Sequence, residues 1–194
     1  MATTTAAAPV ADRGDRIAFA VIAGMTALLG IAVLIDGVWR TIALATDVGP
    51  VDLIAQAEVA GNVGNVSVAT VRSDAIDEPS RALLVIASAL ALVVATSVYA
   101  AIVVFLVMTA RGTPFHRLLY PVVLLTGILM SIGGILAGGL DGLGRMMAGG
   151  GLGEPYQAAF ELTIGPWAFG FVVLVAAYVI RVGQRLQRDS EGLV

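Results

Sequence analysis

The sequence predicts an all-α membrane protein, with four transmembrane helices in a bundle and a small outer loop segment that holds short strands. Three observations carry this expectation. Of the 194 residues 58% are hydrophobic and 13% charged, with a mean hydropathy of +0.93; a soluble domain carries about 25% charged residues. The apolar residues are gathered into four long runs. Each run is long enough, at about 1.5 Å per helical residue, to cross a hydrocarbon core of about 30 Å.

Residues 1–16 read as a disordered N-terminal tail. Met1 to Ala11 is rich in Ala and Thr without periodicity, and Asp12, Arg13, Asp15 and Arg16 are charged. The first helix is expected over about 17–39. Its apolar run is too long for the core of a signal peptide and is followed by no small-residue cleavage site, so it is read as retained. Asp36 and Arg40 stand one turn apart near its far end, close to Trp39. They read as an interfacial i,i+4 ion pair at a level marked by the tryptophan; an intramembrane carboxylate as an ion or proton site is the alternative.

An outer loop is expected over 41–79. Asn65 to Val71 alternates polar and apolar residues, a short strand pattern. Gly61-Asn62 and Gly64-Asn65 are turn chemistry, and Val51 to Val59 reads as a short helix or strand. The second helix is expected over about 80–109, with Ala87, Ala91 and Ala95 as a smooth stripe for close helix contact.

Arg111-Gly112-Thr113-Pro114-Phe115-His116-Arg117 then forms a tight connection. Gly112 and Pro114 supply the backbone conformations that stop one helix and reverse the chain. The third helix is expected over about 118–140, where Gly127, Ser131, Gly134 and Gly138 put small residues on one face. This spacing predicts antiparallel packing against the alanine stripe.

A second outer loop is expected over 141–161. Gly149-Gly150-Gly151-Leu152-Gly153 lacks the strand before it and the lysine after it that a phosphate loop needs, and reads as a flexible linker. The fourth helix is expected over about 162–180, with Pro166 in its first turns, completing a transmembrane domain of 17–182. Residues 183–194 are expected as a C-terminal tail. Arg181, Arg185 and Arg188 share a face if the helix continues into it, a stripe suited to anionic headgroups.

Arginines near membrane ends sort to the cytoplasmic side. Arg13, Arg16, Arg111, Arg117, Arg181, Arg185 and Arg188 fall on one side; Arg40, Arg72, Arg81 and Arg145 fall on the other with most of the acidic residues. The expectation is a multi-pass protein of the cell membrane with both termini cytoplasmic.

Composition narrows the chemistry. The absence of cysteine excludes disulfides, thiolate metal sites and a cysteine nucleophile, and His116 stands alone. All eleven basic residues are arginine, which genomic base composition explains, and a net charge of −3 gives no footprint for nucleic acid. Nucleophile, base and metal candidates do not cluster, so neither an enzymatic activity nor a cofactor is expected.

Two stretches resemble a known family. Arg111-Gly112-Thr113-Pro114-Phe115 resembles the R-G-x-P-F motif, and Gly183 to Val194 is similar to the "G-x-x-L-Q-x-D-x-E-G-L-V" close, of the bacterial four-helix membrane family named domain of unknown function 2975. His116-Arg117 stand where many members carry an Asn. The resemblance implies an integral membrane protein without assigned activity, often encoded beside a small helix-turn-helix regulator.

The reading that follows is a non-enzymatic regulatory or assembly subunit, embedded in the lipid bilayer, that meets a membrane or cytoplasmic protein partner. Its docking surface is expected at Arg111, Gly112, Pro114, Phe115, Arg117, Arg185, Leu186, Asp189 and Glu191. The alternative is a small-solute transporter or channel component. Polar residues of the spans such as Thr26, Ser88, Thr96, Ser97, Thr126 and Ser131 are uncharged, which suits helix packing as well as transport.

Overall fold

The computed structural model describes residues 13–59, 62–113, 116–162 and 165–191, with the backbone alone at 57–59, 62–66, 166, 187, 190 and 191. Of the expected disordered tail 1–16, residues 1–12 lie outside the described residues, as do Pro114, Phe115 and the last three, whereas Arg13 to Arg16 are already helical and correct that expectation.

Among the described residues four helices are long and apolar enough to cross a membrane, and the chain is a multi-pass, all-α membrane protein with a small two-stranded sheet. The first, α1, spans Arg13–Ala45. It outruns the apolar segment because its polar residues are satisfied within the helix. The Thr41 and Thr46 hydroxyls donate to the carbonyls of Gly37 and Ile42 at 2.8 and 2.9 Å, as such residues do in helices. Asp47, at φ 61°, ends it.

Strands β1 (Pro50–Val59) and β2 (Asn62–Arg72) form an antiparallel hairpin. Val51, Leu53 and Ala55 are the buried alternate residues of β1, and Val51 and Leu53 join Ile76, Leu84 and Ala148 in a core. The Val51 to Val59 stretch is thus a strand, and the strand expected at Asn65–Val71 is the middle of a longer one. Gly64 does not turn the chain. Asn65 pairs with Ala57 and Val63 with Glu58, so Gly64 is the extra residue of a bulge.

The second span, α2, runs Glu78–Ala110. Asp77 starts it by accepting the Ser80 backbone N–H at 3.4 Å, with Pro79 in the first turn. The third span consists of α3 (Leu119–Ile128), a π-helical turn at Leu129–Gly133, and α4 (Gly134–Leu152). The fourth, α5, covers Gly165–Glu191. The helices pack in chain order: α1 on α2, α2 mainly on α4, and α3 with the π turn on α5.

Three expectations need correction. Residues 141–152 continue the third helix instead of opening a loop, and Gly149, Gly150 and Gly151 are helical. A Cβ at Gly142 or Gly149 would strike the carbonyl of Glu161 or Gln157, and one at Gly144 would press on Leu84. These glycines let neighbouring chain lie directly on the helix, and that packing outweighs a helix propensity about 1 kcal/mol worse than alanine. Residues 183–191 are the last turns of α5, not a tail, so its three arginines do stand on helix. Finally, the small-residue face of the third span serves two neighbours. A Cβ at Gly127 would meet Leu174 of α5, and Gly170 of α5 abuts Ser131, whereas Gly133 faces Val94 of α2. The π turn inserts an extra residue and rotates everything after it.

Candidate functional site

The arginine-rich end is built from the reversal after α2. Arg111 caps the helix through its backbone N–H, which donates to the Val107 carbonyl at 3.0 Å. Gly112 then takes φ 75°, the left-handed region that favours glycine. Its N–H donates to Thr109 and that of Thr113 to Met108, so the carbonyls of Val107, Met108 and Thr109 in the last turn of α2 are satisfied. The chain is next described at His116, whose carbonyl accepts the Leu119 N–H at 2.9 Å.

That same carbonyl receives the Gln184 side-chain amide of α5, also at 2.9 Å. Gln184 is 8% exposed, and burying its amide requires such a partner. One turn earlier the Arg181 guanidinium lies 5.3 Å above the Tyr120 ring, a cation–π distance. The structure thus ties the 111–118 loop and the end of α5 together, as a shared surface requires. Arg111, Gly112, Arg117, Arg185, Leu186 and Asp189 are exposed around this tie. Pro114 and Phe115 lie outside the described residues, as does the Glu191 side chain.

The hairpin end has a different electrostatic character. Asp36 and Arg40 form the expected ion pair at 2.8 Å, with side chains 61% and 73% exposed. They border a groove of about 490 Å3 between α1, α2, α4 and the hairpin. Across it Arg145 binds Asp141 at 2.7 and 3.2 Å and donates to the Asp52 carbonyl at 2.6 Å, clamping α4 to β1. Arg81 pairs with Asp47, and Arg72 with Asp74 at 3.3 Å. Every arginine at this end therefore faces a carboxylate.

Sequence reasoning missed the Asp141–Arg145 clamp, although its i,i+4 spacing signals it once the segment is known to be helical. Gln184, Arg181 and Tyr120 carried no such signal, because 68 and 61 residues separate the partners. Between the two ends the described polar contacts are uncharged: Thr126 donates to the Ser97 carbonyl at 3.4 Å, and Thr41 meets Ser88 at 3.1 Å. The Ser131 hydroxyl is buried without a protein partner. Among the described residues no three His, Asp or Glu side chains gather as a metal site. Compared with protein-family models, curated proteins and solved structures, the chain has no match.

Proposed function

We propose that the protein is a non-enzymatic regulatory or assembly subunit of the cell membrane, with both termini cytoplasmic, that receives a protein partner on its arginine-rich end. The observation that carries this reading is the Gln184–His116 bond. It joins loop and helix into one preorganised surface, which lowers the conformational entropy lost on association.

A photo-cross-linking residue at Arg117 and another at Leu186 should trap one and the same protein in native membranes, and one at Val68 should not. Different adducts from Arg117 and Leu186 would refute a shared surface. Orientation is tested separately, since the chain has no cysteine. A cysteine at Thr113 should resist impermeant thiol reagents in intact cells and one at Ser67 should react; labelling at Thr113 from outside overturns the topology.

A second reading, a small-solute transporter or channel component, draws on one observation. Ser131 is buried and unpartnered within the π turn, and such turns are frequent at functional sites.

A further inference from the structure

We propose that the groove between α1 and α2 at the arginine-rich end binds one anionic phospholipid. Its phosphate sits between Arg16 and Arg111, and an acyl chain runs along the groove floor. The cavity measures about 510 Å3, within the range of about 300–1,000 Å3 common for small-molecule sites. Ala20, Ala23, Gly24 and Ala27 of α1 and Val103 and Val107 of α2 form its walls. From Arg16 to Ala27 the helix rises about 16 Å, half of a hydrocarbon core of about 30 Å. The groove is one leaflet deep and open at the headgroup level.

Charge complementarity selects the occupant. No carboxylate pairs with Arg16 or Arg111 among the described residues, while all four arginines of the hairpin end are paired. Both residues line this cavity, and an Arg16 guanidinium nitrogen lies 4.0 Å from where a Cβ on Gly112, next to Arg111, would stand. Guanidinium forks match phosphate oxygens bidentately. The space is real as well. A Cβ at Gly24 meets nothing within 4 Å, whereas those at Gly30 and Gly37, farther along α1, would press on Tyr99 and Leu92. The helices touch closely towards the hairpin and leave a trough towards the arginines. A free anion would satisfy only the mouth of that trough; a phospholipid fills both parts. The site shares Arg111 with the proposed docking surface, but its groove lies between α1 and α2 and stands without a protein partner.

The test titrates the purified full chain in neutral detergent with phosphatidylglycerol or phosphatidylcholine, read by native mass spectrometry. One phosphatidylglycerol should be retained in preference to phosphatidylcholine. Arg16→Gln and Arg111→Gln should each weaken it about fivefold, and together about thirtyfold. Arg117→Gln and Arg185→Gln, which remove the same charge at the same end, should change it less than about twofold. Gly24→Leu places a side chain in the empty trough and should abolish retention with thermal stability unchanged. Equal losses from all four arginine variants, or equal retention of both lipids, overturn the site. So does displacement by inorganic phosphate with Gly24→Leu silent, which would mark a free-anion site.

Discussion

The substitution Gly149→Ala sets two well-measured effects against each other. In a helix interior glycine is about 1 kcal/mol less favourable than alanine, so propensity alone makes the change stabilising. The structure opposes it. A Cβ at Gly149 runs into the Gln157 carbonyl, and that carbonyl cannot swing away. Its strand segment is held to β1 by Gln56 N–H to the Pro155 carbonyl at 2.7 Å and Gln157 N–H to the Ile54 carbonyl at 3.0 Å. Overpacking against a fixed neighbour costs about 1–3 kcal/mol, leaving a net loss of up to about 2 kcal/mol. Gly139 lies in the same helix, and a Cβ there meets nothing within 4 Å; Gly139→Ala should gain up to about 1 kcal/mol. At about 2–4 °C per kcal/mol for a chain of this length, a difference of about 1–3 kcal/mol should put the melting point of Gly149→Ala about 2–12 °C below that of Gly139→Ala. Thermal unfolding of the full chain in detergent, followed by near-ultraviolet circular dichroism, reads the difference. If Gly149→Ala melts as high as Gly139→Ala, the glycine run is not a packed surface and α4 does not carry the segment that follows it.

Asp36→Asn should leave abundance and melting nearly unchanged, since an exposed i,i+4 pair contributes about 0.3–0.5 kcal/mol; loss of a cellular phenotype with normal insertion would instead mark Asp36 as an ion site. Gln184→Leu removes a buried donor from the His116 carbonyl and should cost about 1–3 kcal/mol. Its mark is faster thiol labelling of a cysteine at Thr113 in inverted vesicles, and an unchanged rate would show that the bond does not hold the loop. Ser131→Ala deletes an unpartnered buried hydroxyl and should be neutral or stabilising by about 1 kcal/mol. A normal melting point with lost solute flux in proteoliposomes would favour the transporter reading over the docking one.

The four spans were legible because each is a continuous apolar run, and a bilayer leaves the backbone of such a run no alternative to helix. Their ends were harder to read, because helices leave the apolar core by different means. The last turns of α1 are polar but satisfied by their own threonines, and α5 continues through arginines that solvent accepts. At residues 141–152 glycine composition indicated a linker, and only contact with residues 157–161 shows why glycine is needed there. In the hairpin, Val51, Leu53 and Ala55 carry the alternation of a half-buried strand, yet Ala55 and Ala57 blur the contrast between its faces. The arginine end divides in the same way. That Arg111 and Arg185 share one side follows from counting spans. The bond from Gln184 to the His116 carbonyl has no local pattern, because a backbone acceptor is the same at every residue.

The arrangement of carboxylates explains why the two ends differ in what they can do. By position along the chain, the hairpin end carries four arginines and ten acidic residues, and the other end seven arginines and four acidic residues. Net charge is thus about −6 at one end and +3 at the other. An arginine already paired at 2.7 or 2.8 Å, as Arg145 and Arg40 are, has spent much of its attraction on its own chain and serves to fix geometry. Arg16 and Arg111 have no such partner among the described residues, so their fields reach outward, each worth about 1 kcal/mol towards an anionic membrane surface. By the sorting of arginines, the same end would be the one that stays cytoplasmic. Orientation, lipid capture and partner docking would then share one physical origin. Removing both charges, by Arg16→Gln together with Arg111→Gln, should weaken all three together, and thiol labelling at Thr113 measures the first. Loss of phospholipid retention with orientation intact would show that the site and the topology are set by different arginines.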